Sequence, residues 1–491
     1  MPTHNNIMII GVGLHAKRIY IPTLFKYMDT MPFCLKLGVD FKSKKNNIED
    51  YLKSNNFNLE MFYIEDYDNS QELSQENKDL LSNIAKENNI TGVVISTEPL
   101  AHKSYALWAI SQGLNILMDK PISTKIDVSH NMKQADNIYK DYEEILKAYL
   151  KLQKEKETVF SINVQRRYEK GYLKVFDLIK EVSEKFNAPV TSIQAMHSDG
   201  VWIFPDEIVE QTYHPYNLGY GKGSHSSYHI FDIIWQLYKK GLVKDKEPDG
   251  MEVYSSFLNP EGLLIQFGQK DYENYFGKET YNESTRRSEI DLNKLYKNYG
   301  EIDIFSNVKL TKNNINICNI SINLLHNSFS KRAWIQPNDD LYKGNGRVKH
   351  QYYYIQQGPF QCIQIHNYQS NEMQDKSTID DYKLGGNNHF DIYVFRNAKM
   401  FGDDELPLRV YNLKDLDKEN NFQDNKLFHE SAKELVILEF LNYLEGSVNI
   451  KSMLSNITTH DIPVKIMSSI YKSNINFENN DNPLIKFKIE I

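Results

Sequence analysis

The feature that most constrains this chain is the stretch "IMIIGVGLHAKRIYIPTL", where an unbroken apolar run meets Gly11, Gly13 and Ala16. A strand apolar at every position is covered on both faces, which suits a parallel sheet and not a sheet with one wet side. The GxGxxA spacing predicts a tight turn at Gly11 and a helix from about Leu14. Gly13 leaves room for a ligand against backbone N–H groups, and Ala16 lets helix and strand approach closely. Small residues retained for packing alone give the same spacing, so the motif by itself leaves both readings open.

The next apolar strand, "FCLKLGVDF", ends at Asp40, 27 residues after Gly13. A carboxylate at that distance is placed to meet an adenine ribose, which makes NAD or NADP the expected ligand. Its charge repels a 2'-phosphate and favours NAD, while Lys42, Ser43, Lys44 and Lys45 offset that repulsion. Residues 46–89 read as helix, short strand and helix. The stretch "ITGVVISTEPLAHKSYALWAISQGLNILMDKPIST" then alternates strand, loop, helix, strand and loop, the pattern of a doubly wound sheet. Pro99 and Lys120-Pro121 follow strands at their carboxyl ends, where ligands of such sheets collect.

Three stretches in order, "GVGLHAKRIYIPTL", "VVISTEPLAHKSYALWAISQGLNILMDKPIS" and "INVQRRYEKGYLKVFDLIKE", resemble landmarks of the Gfo/Idh/MocA family (glucose-fructose oxidoreductase, inositol dehydrogenase and relatives). The resemblance covers roughly residues 7–237, with the family's Glu-Lys-Pro present as Asp119-Lys120-Pro121. It implies an N-terminal Rossmann domain with a doubly wound parallel sheet over residues 1–125. An α+β substrate and oligomerisation domain with a large, mostly antiparallel sheet and insertions follows over 126–491. The implied cofactor residues are Gly11, Gly13, Leu14, His15, Asp40, Thr97, Pro99, His102, Asp119 and Lys120.

The central stretch "GYGKGSHSSYHIFDIIWQL" resembles the family's glycine-led helix bearing Asp, then His, then Asp. Here His225 stands at the first Asp position, His229 at the histidine and Asp232 at the last, a spacing that would put all three on one helical face. An imidazole hydrogen-bonds a hydroxyl and titrates near neutrality, but lacks a carboxylate's fixed charge. Oxidising a secondary alcohol needs a hydride acceptor, a base and groups that hold the oxygen. His229 is the expected acid/base and Lys120 the polarising charge, in roles that sequence alone leaves exchangeable, with His225 as a third catalytic candidate. Arg167, Tyr168, His225 and Asp232 are the expected substrate-binding residues, with an interdomain ion pair equally open for Arg167 and a structural role equally open for His102. No HExxH glutamate or Cys/His cluster completes a metal site.

Composition excludes several classes. The 491 residues carry 57 basic and 65 acidic groups, net -8, which offers no general attraction to nucleic acid or anionic lipid. The three cysteines are far apart without a CxxC pair, the apolar runs are strand-length, and the start lacks a basic leader, so a cytoplasmic protein is expected. From Gly250 on, "MEVYSSFL", "GLLIQFGQ", "NINICNISINLL", "QYYYIQQG" and "FQCIQIHNYQ" read as strands of the second sheet. "YENYFGKETYNESTRRSEIDLNKLYKNYGEID" reads as an insertion, "NEMQDKSTIDDYKLGGNNHFDIYVFRN" as a loop rejoining a strand, and "NKLFHESAKELVILEFLNYLEG" and "THDIPVKIMSSIYKS" as helices. His460, Asp461 and Tyr471 in the last are expected to be structural.

The resemblance points to an NAD(P)-dependent oxidoreductase acting on a hydroxyl or carbonyl of a sugar, cyclitol or sugar derivative. It also implies a homo-oligomer paired through the C-terminal sheet. A glycosidase using transient oxidation by NAD and a non-catalytic dinucleotide-binding regulator remain alternatives.

Overall fold

The computed structural model describes residues 5–200, 203–330, 346–372, 383–402, 404–416 and 428–490. Two compact units emerge. The first comprises residues 1–125, 137–169 and 428–464, and the second 126–136, 170–427 and 465–491. The chain passes between the units repeatedly.

The first unit is built on six parallel strands: β1 (Asn5–Ile10), β2 (Phe33–Phe41), β3 (Glu60–Ile64), β4 (Ile90–Ile95), β5 (Asn115–Met118) and β6 (Phe160–Ile162). Their order is β3-β2-β1-β4-β5-β6, doubly wound about β1. Residues Ile7 to Ile10 and Val93 to Ile95 are buried without alternation, as a sheet covered on both faces requires. Helices Lys45–Ser54 and Gln75–Glu87 flank β3, as the helix-strand-helix reading expects. Helix Phe428–Glu445 inserts Val436, Ile437, Phe440 and Leu441 into the same core as Ile7, Ile9, Val94 and Leu117.

The second unit carries β7 (Ser192–Ser198), β8 (Gly250–Leu258), β9 (Asp303–Lys312), β10 (Ile315–Leu325), β11 (Gly346–Gln357), β12 (Gln361–Glu372), β13 (Asn388–Arg396), β14 (Leu408–Tyr411) and β15 (Ile485–Lys488). They form one nine-stranded sheet, ordered β14-β13-β12-β11-β7-β10-β9-β8-β15, antiparallel except at the β7–β10 pair. Here burial alternates along strands such as β9, the signature of a sheet with two unlike faces. One face meets helices Lys170–Phe186 and Tyr228–Lys240: Tyr172 packs edge-on against Phe390 at 5.1 Å, and Gln357 donates to the Ile179 carbonyl. The other face carries half-buried Tyr352, Tyr354, His366, Tyr368 and Tyr393, in edge-to-face or stacked contact along and across β11–β13.

The expected strand "GLLIQFGQ" is corrected. Pro260–Gln266 is a helix, with Pro260 in its first turn and Ile265 87% exposed. An Asn-Pro start fixes a helix N-terminus, and this signal outweighs a short apolar run that suits either element. The insertion forms short helices Gln269–Phe276, Lys278–Ser284 and Glu289–Tyr296. Of the expected loop before β13, residues 373–382 lie outside the described residues. The C-terminal helices span Phe428–Glu445 and Asp461–Glu478. Among the described residues no helix is long and apolar enough to cross a membrane.

Candidate active site

In the first unit, Gly11 adopts φ +87°, and a Cβ there would lie 2.6 Å from the Ser96 carbonyl oxygen, so the turn after β1 admits only glycine. At Gly13 the reverse holds: a Cβ would meet nothing within 4 Å, and Leu14 beside it is 52% exposed. The backbone turn thus leaves the open cradle that a pyrophosphate needs. Asp40, at the end of β2, accepts from the Val12 N–H at 2.6 Å and the Phe41 N–H at 2.7 Å, which fixes its carboxylate beside that turn. Lys42 is paired with Glu65, and Lys45 lies 3.8 Å from Glu49. Carboxylates therefore engage two of the lysines that follow Asp40.

Asp119, after β5, gathers donors from the helix that follows the glycine turn and from the segment after β4. His15 Nδ1 lies 2.7 Å from Oδ2, Ser96 Oγ donates at 3.0 Å, and the Tyr20 hydroxyl donates to Oδ1 at 2.6 Å. Asn163 Nδ2 in turn donates to the Tyr20 oxygen at 2.7 Å. Burial works to raise the Asp119 carboxyl, but the His15 ring and the hydrogen bonds from His15 and Tyr20 outweigh it and hold the group well below the usual carboxylate range. Burial, reinforced by the charge of Lys433, lowers His15 to about 4 against the pull of Asp119. A neutral ring with its proton on Nδ1 satisfies both neighbours, since Lys433 Nζ lies 3.1 Å from Nε2.

Lys120 follows directly, half-buried, at the carboxyl edge of β5, and the Lys120–Pro121 peptide is cis. His102 is fully buried, with Nδ1 2.8 Å from the Pro121 carbonyl and Nε2 3.1 Å from the Thr97 carbonyl. Both ring nitrogens are thus directed at backbone, tying the Thr97–Pro99 loop to the Lys120–Pro121 loop. Arg167 is buried and donates to the Leu454 carbonyl at 2.6 Å and Thr459 Oγ1 at 2.7 Å. Tyr168 donates to Glu439. These contacts hold the returning segment 428–464 to the first unit.

In the second unit the stretch around His225 is not one helix, which corrects the single-face expectation. Lys222–His225 forms one turn, Ser226 and Ser227 interrupt it, and Tyr228–Lys240 follows. The Ser227 hydroxyl takes the Lys222 carbonyl at 2.7 Å, the competition for backbone partners that makes serine a helix breaker. His229 and Asp232 share the long helix, whereas His225 belongs to the preceding turn. All three are buried. The His225 ring stacks on His214 at 4.8 Å and approaches Tyr216, Tyr220 and His326.

The glycine run is explained by Glu301. A Cβ on Gly221 would fall 1.9 Å from the Glu301 carbonyl oxygen, and Glu301 Oε1 accepts from the Gly223 N–H at 2.6 Å. Burial raises the Glu301 carboxyl against hydrogen bonds from Ser129, Gly223 and Tyr471. Beside His225 lies a cluster that sequence reasoning missed. The fully buried Lys222 pairs with Asp199 and lies 3.1 Å from His197 Nδ1, while His326 Nε2 lies 3.3 Å from Asp199. Asp303, whose carboxylate accepts from the backbone of His326 and Asn327, is pushed by burial to about 6. Only a lysine inside the glycine run hinted at this in the sequence. Nothing in "HESAKELVILEF" marked Lys433 as a neighbour of the glycine turn.

A doubly wound parallel sheet with an open glycine cradle and a carboxylate ending β2 defines an NAD(P)-binding Rossmann unit. Residues 6–142 match the oxidoreductase family with an NAD-binding Rossmann fold, GFO_IDH_MocA. Across the whole chain the fold is similar to that of aldose-aldose oxidoreductase from Caulobacter crescentus complexed with glycerol (11% identity, 99% of each chain, TM-score 0.55). It is also similar to an oxidoreductase from Agrobacterium radiobacter in complex with NAD+, L-tartaric acid and magnesium (9% identity, 99% of this chain and 98% of that one, TM-score 0.55). Levoglucosan dehydrogenase in complex with NADH and levoglucosan aligns likewise (11% identity, 99% of each chain, TM-score 0.57). Comparison with curated proteins finds no match.

Proposed function

We propose that the protein is an NAD(P)-dependent oxidoreductase that moves a hydride between the nicotinamide and a hydroxyl or carbonyl of a sugar, cyclitol or sugar derivative. The observation that carries this reading is Lys120 at the carboxyl end of β5, inside the span that matches the family and on the same sheet edge as the glycine cradle. The Gly11–His15 turn, Asp40 and the Thr97–Pro99 loop hold the dinucleotide, and Asp40 with its engaged lysine neighbours favours NAD over NADP. Bound cofactor supplies the hydride acceptor. Lys120 polarises the substrate oxygen and lowers the cost of its negative charge, and His229 takes or returns the hydroxyl proton. His225 and Asp232 orient the substrate, and His102 positions the loop carrying Lys120. The half-buried tyrosine and histidine face of the nine-stranded sheet serves to pair copies of the chain.

The experiment is a panel of sugars and cyclitols incubated with NAD or NADP, read by nicotinamide absorbance, with the Lys120→Ala variant in parallel. The variant is expected to lose most turnover, at least about a hundredfold, while binding NADH as the natural protein does. Full turnover in the variant overturns the assignment of Lys120. Cleavage of glycosides without net NADH would instead favour transient oxidation.

A further inference from the structure

We infer that Lys433 is a cofactor-binding residue, whose ammonium neutralises the pyrophosphate of the dinucleotide from a helix more than 400 residues after the glycine turn. The inference rests on the reading of the Gly11–His15 turn as the dinucleotide site and adds a charge that the turn itself lacks. Lys433 lies far outside residues 6–142, the span of the family match.

In a GxGxxA turn the pyrophosphate lies against the backbone N–H groups that open the helix, here those of Gly13, Leu14 and His15. These are partial charges, and the His15 side chain adds none, because burial keeps its ring neutral above about pH 4. Lys433 Nζ stands 3.1 Å from His15 Nε2, so a full positive charge sits one side chain away from the turn. Its position is built, not incidental. The helix Phe428–Glu445 is locked to the unit by four buried apolar residues, by Tyr27 donating to Glu434 at 2.6 Å, and by Tyr168 donating to Glu439. On the far side of His15, Asp119 holds the ring at 2.7 Å and so fixes the atom that faces Lys433. Arg18, whose charge also bears on His15, lies on the following turn of the helix.

Titration calorimetry of the full chain with NADH, ADP-ribose and adenosine tests this. NADH and ADP-ribose carry the pyrophosphate, and adenosine does not. Lys433→Met is expected to weaken NADH and ADP-ribose alike, by about tenfold, and to leave adenosine unchanged. Lys433→Arg is expected to stay within about twofold of the natural protein, and added salt to weaken the natural protein more steeply than the Met variant. Unchanged NADH affinity in Lys433→Met overturns the inference while leaving the dinucleotide site standing. An equal loss for adenosine also overturns it, since Lys433 would then only support the fold. A natural protein that binds neither NADH nor ADP-ribose overturns both readings.

Discussion

Asp119 and His15 are 104 residues apart in sequence and 2.7 Å apart in the structure, and this contact ties the end of the glycine turn to the segment after β5. Asp119 is ionised and His15 neutral, so the pair is a charge-assisted hydrogen bond and not an ion pair. The arrangement stiffens the residue that ends the cradle without placing a cation in it.

A pH dependence of stability follows. His15 titrates near 6.5 when unfolded and at about 4 when folded, so between those values the unfolded chain binds more protons. Its penalty is absent above pH 6.5 and grows as pH falls toward 4. Asp119, held below the ordinary carboxylate range, contributes at lower pH only. Urea unfolding at pH 7 and pH 5 is expected to show His15→Gln losing about 1–2 kcal/mol less than the natural protein over that interval. Equal losses in the two proteins would remove His15 from the account.

The two glycines of the turn should respond oppositely to alanine. Gly11→Ala forces a side chain onto the Ser96 carbonyl at positive φ and is expected to cost at least about 2 kcal/mol, seen as a lowered melting temperature. Gly13→Ala enters open space, so melting should hold while NADH affinity drops. A normal melting temperature for Gly11→Ala would contradict the geometry.

Lys222 and Asp199 form a buried pair in the second unit. Removing one partner leaves a charge in a dry interior, so Lys222→Met and Asp199→Leu are each expected to cost about 3–5 kcal/mol. The double variant should recover most of that loss. Additive losses in a double-mutant cycle by chemical denaturation would show that the two side chains act separately.

The Rossmann sheet was legible because unalternated apolar strands and a glycine turn leave few other solutions, and Asp40 ends β2 where the spacing put it. The helix break at Ser226 and Ser227 was not, because serine suits a helix or its end and only the local backbone decides. Pro260–Gln266 was misread since seven apolar-rich residues fit either element. Two partners of Arg167, Leu454 and Thr459, lie almost 300 positions downstream, a distance over which periodicity carries no information. Lys433 was hidden for the same reason.

The return of residues 428–464 to the first unit has a consequence for how the protein is made. The first six strands have left the ribosome by residue 162, but the helix that fills their core emerges only after residue 428. At about 5–20 residues per second, the nascent sheet waits between roughly ten seconds and a minute with one apolar flank uncovered. That interval is when a chaperone has an apolar surface to hold, and a ribosome stalled before residue 428 would display a half-clad dinucleotide domain.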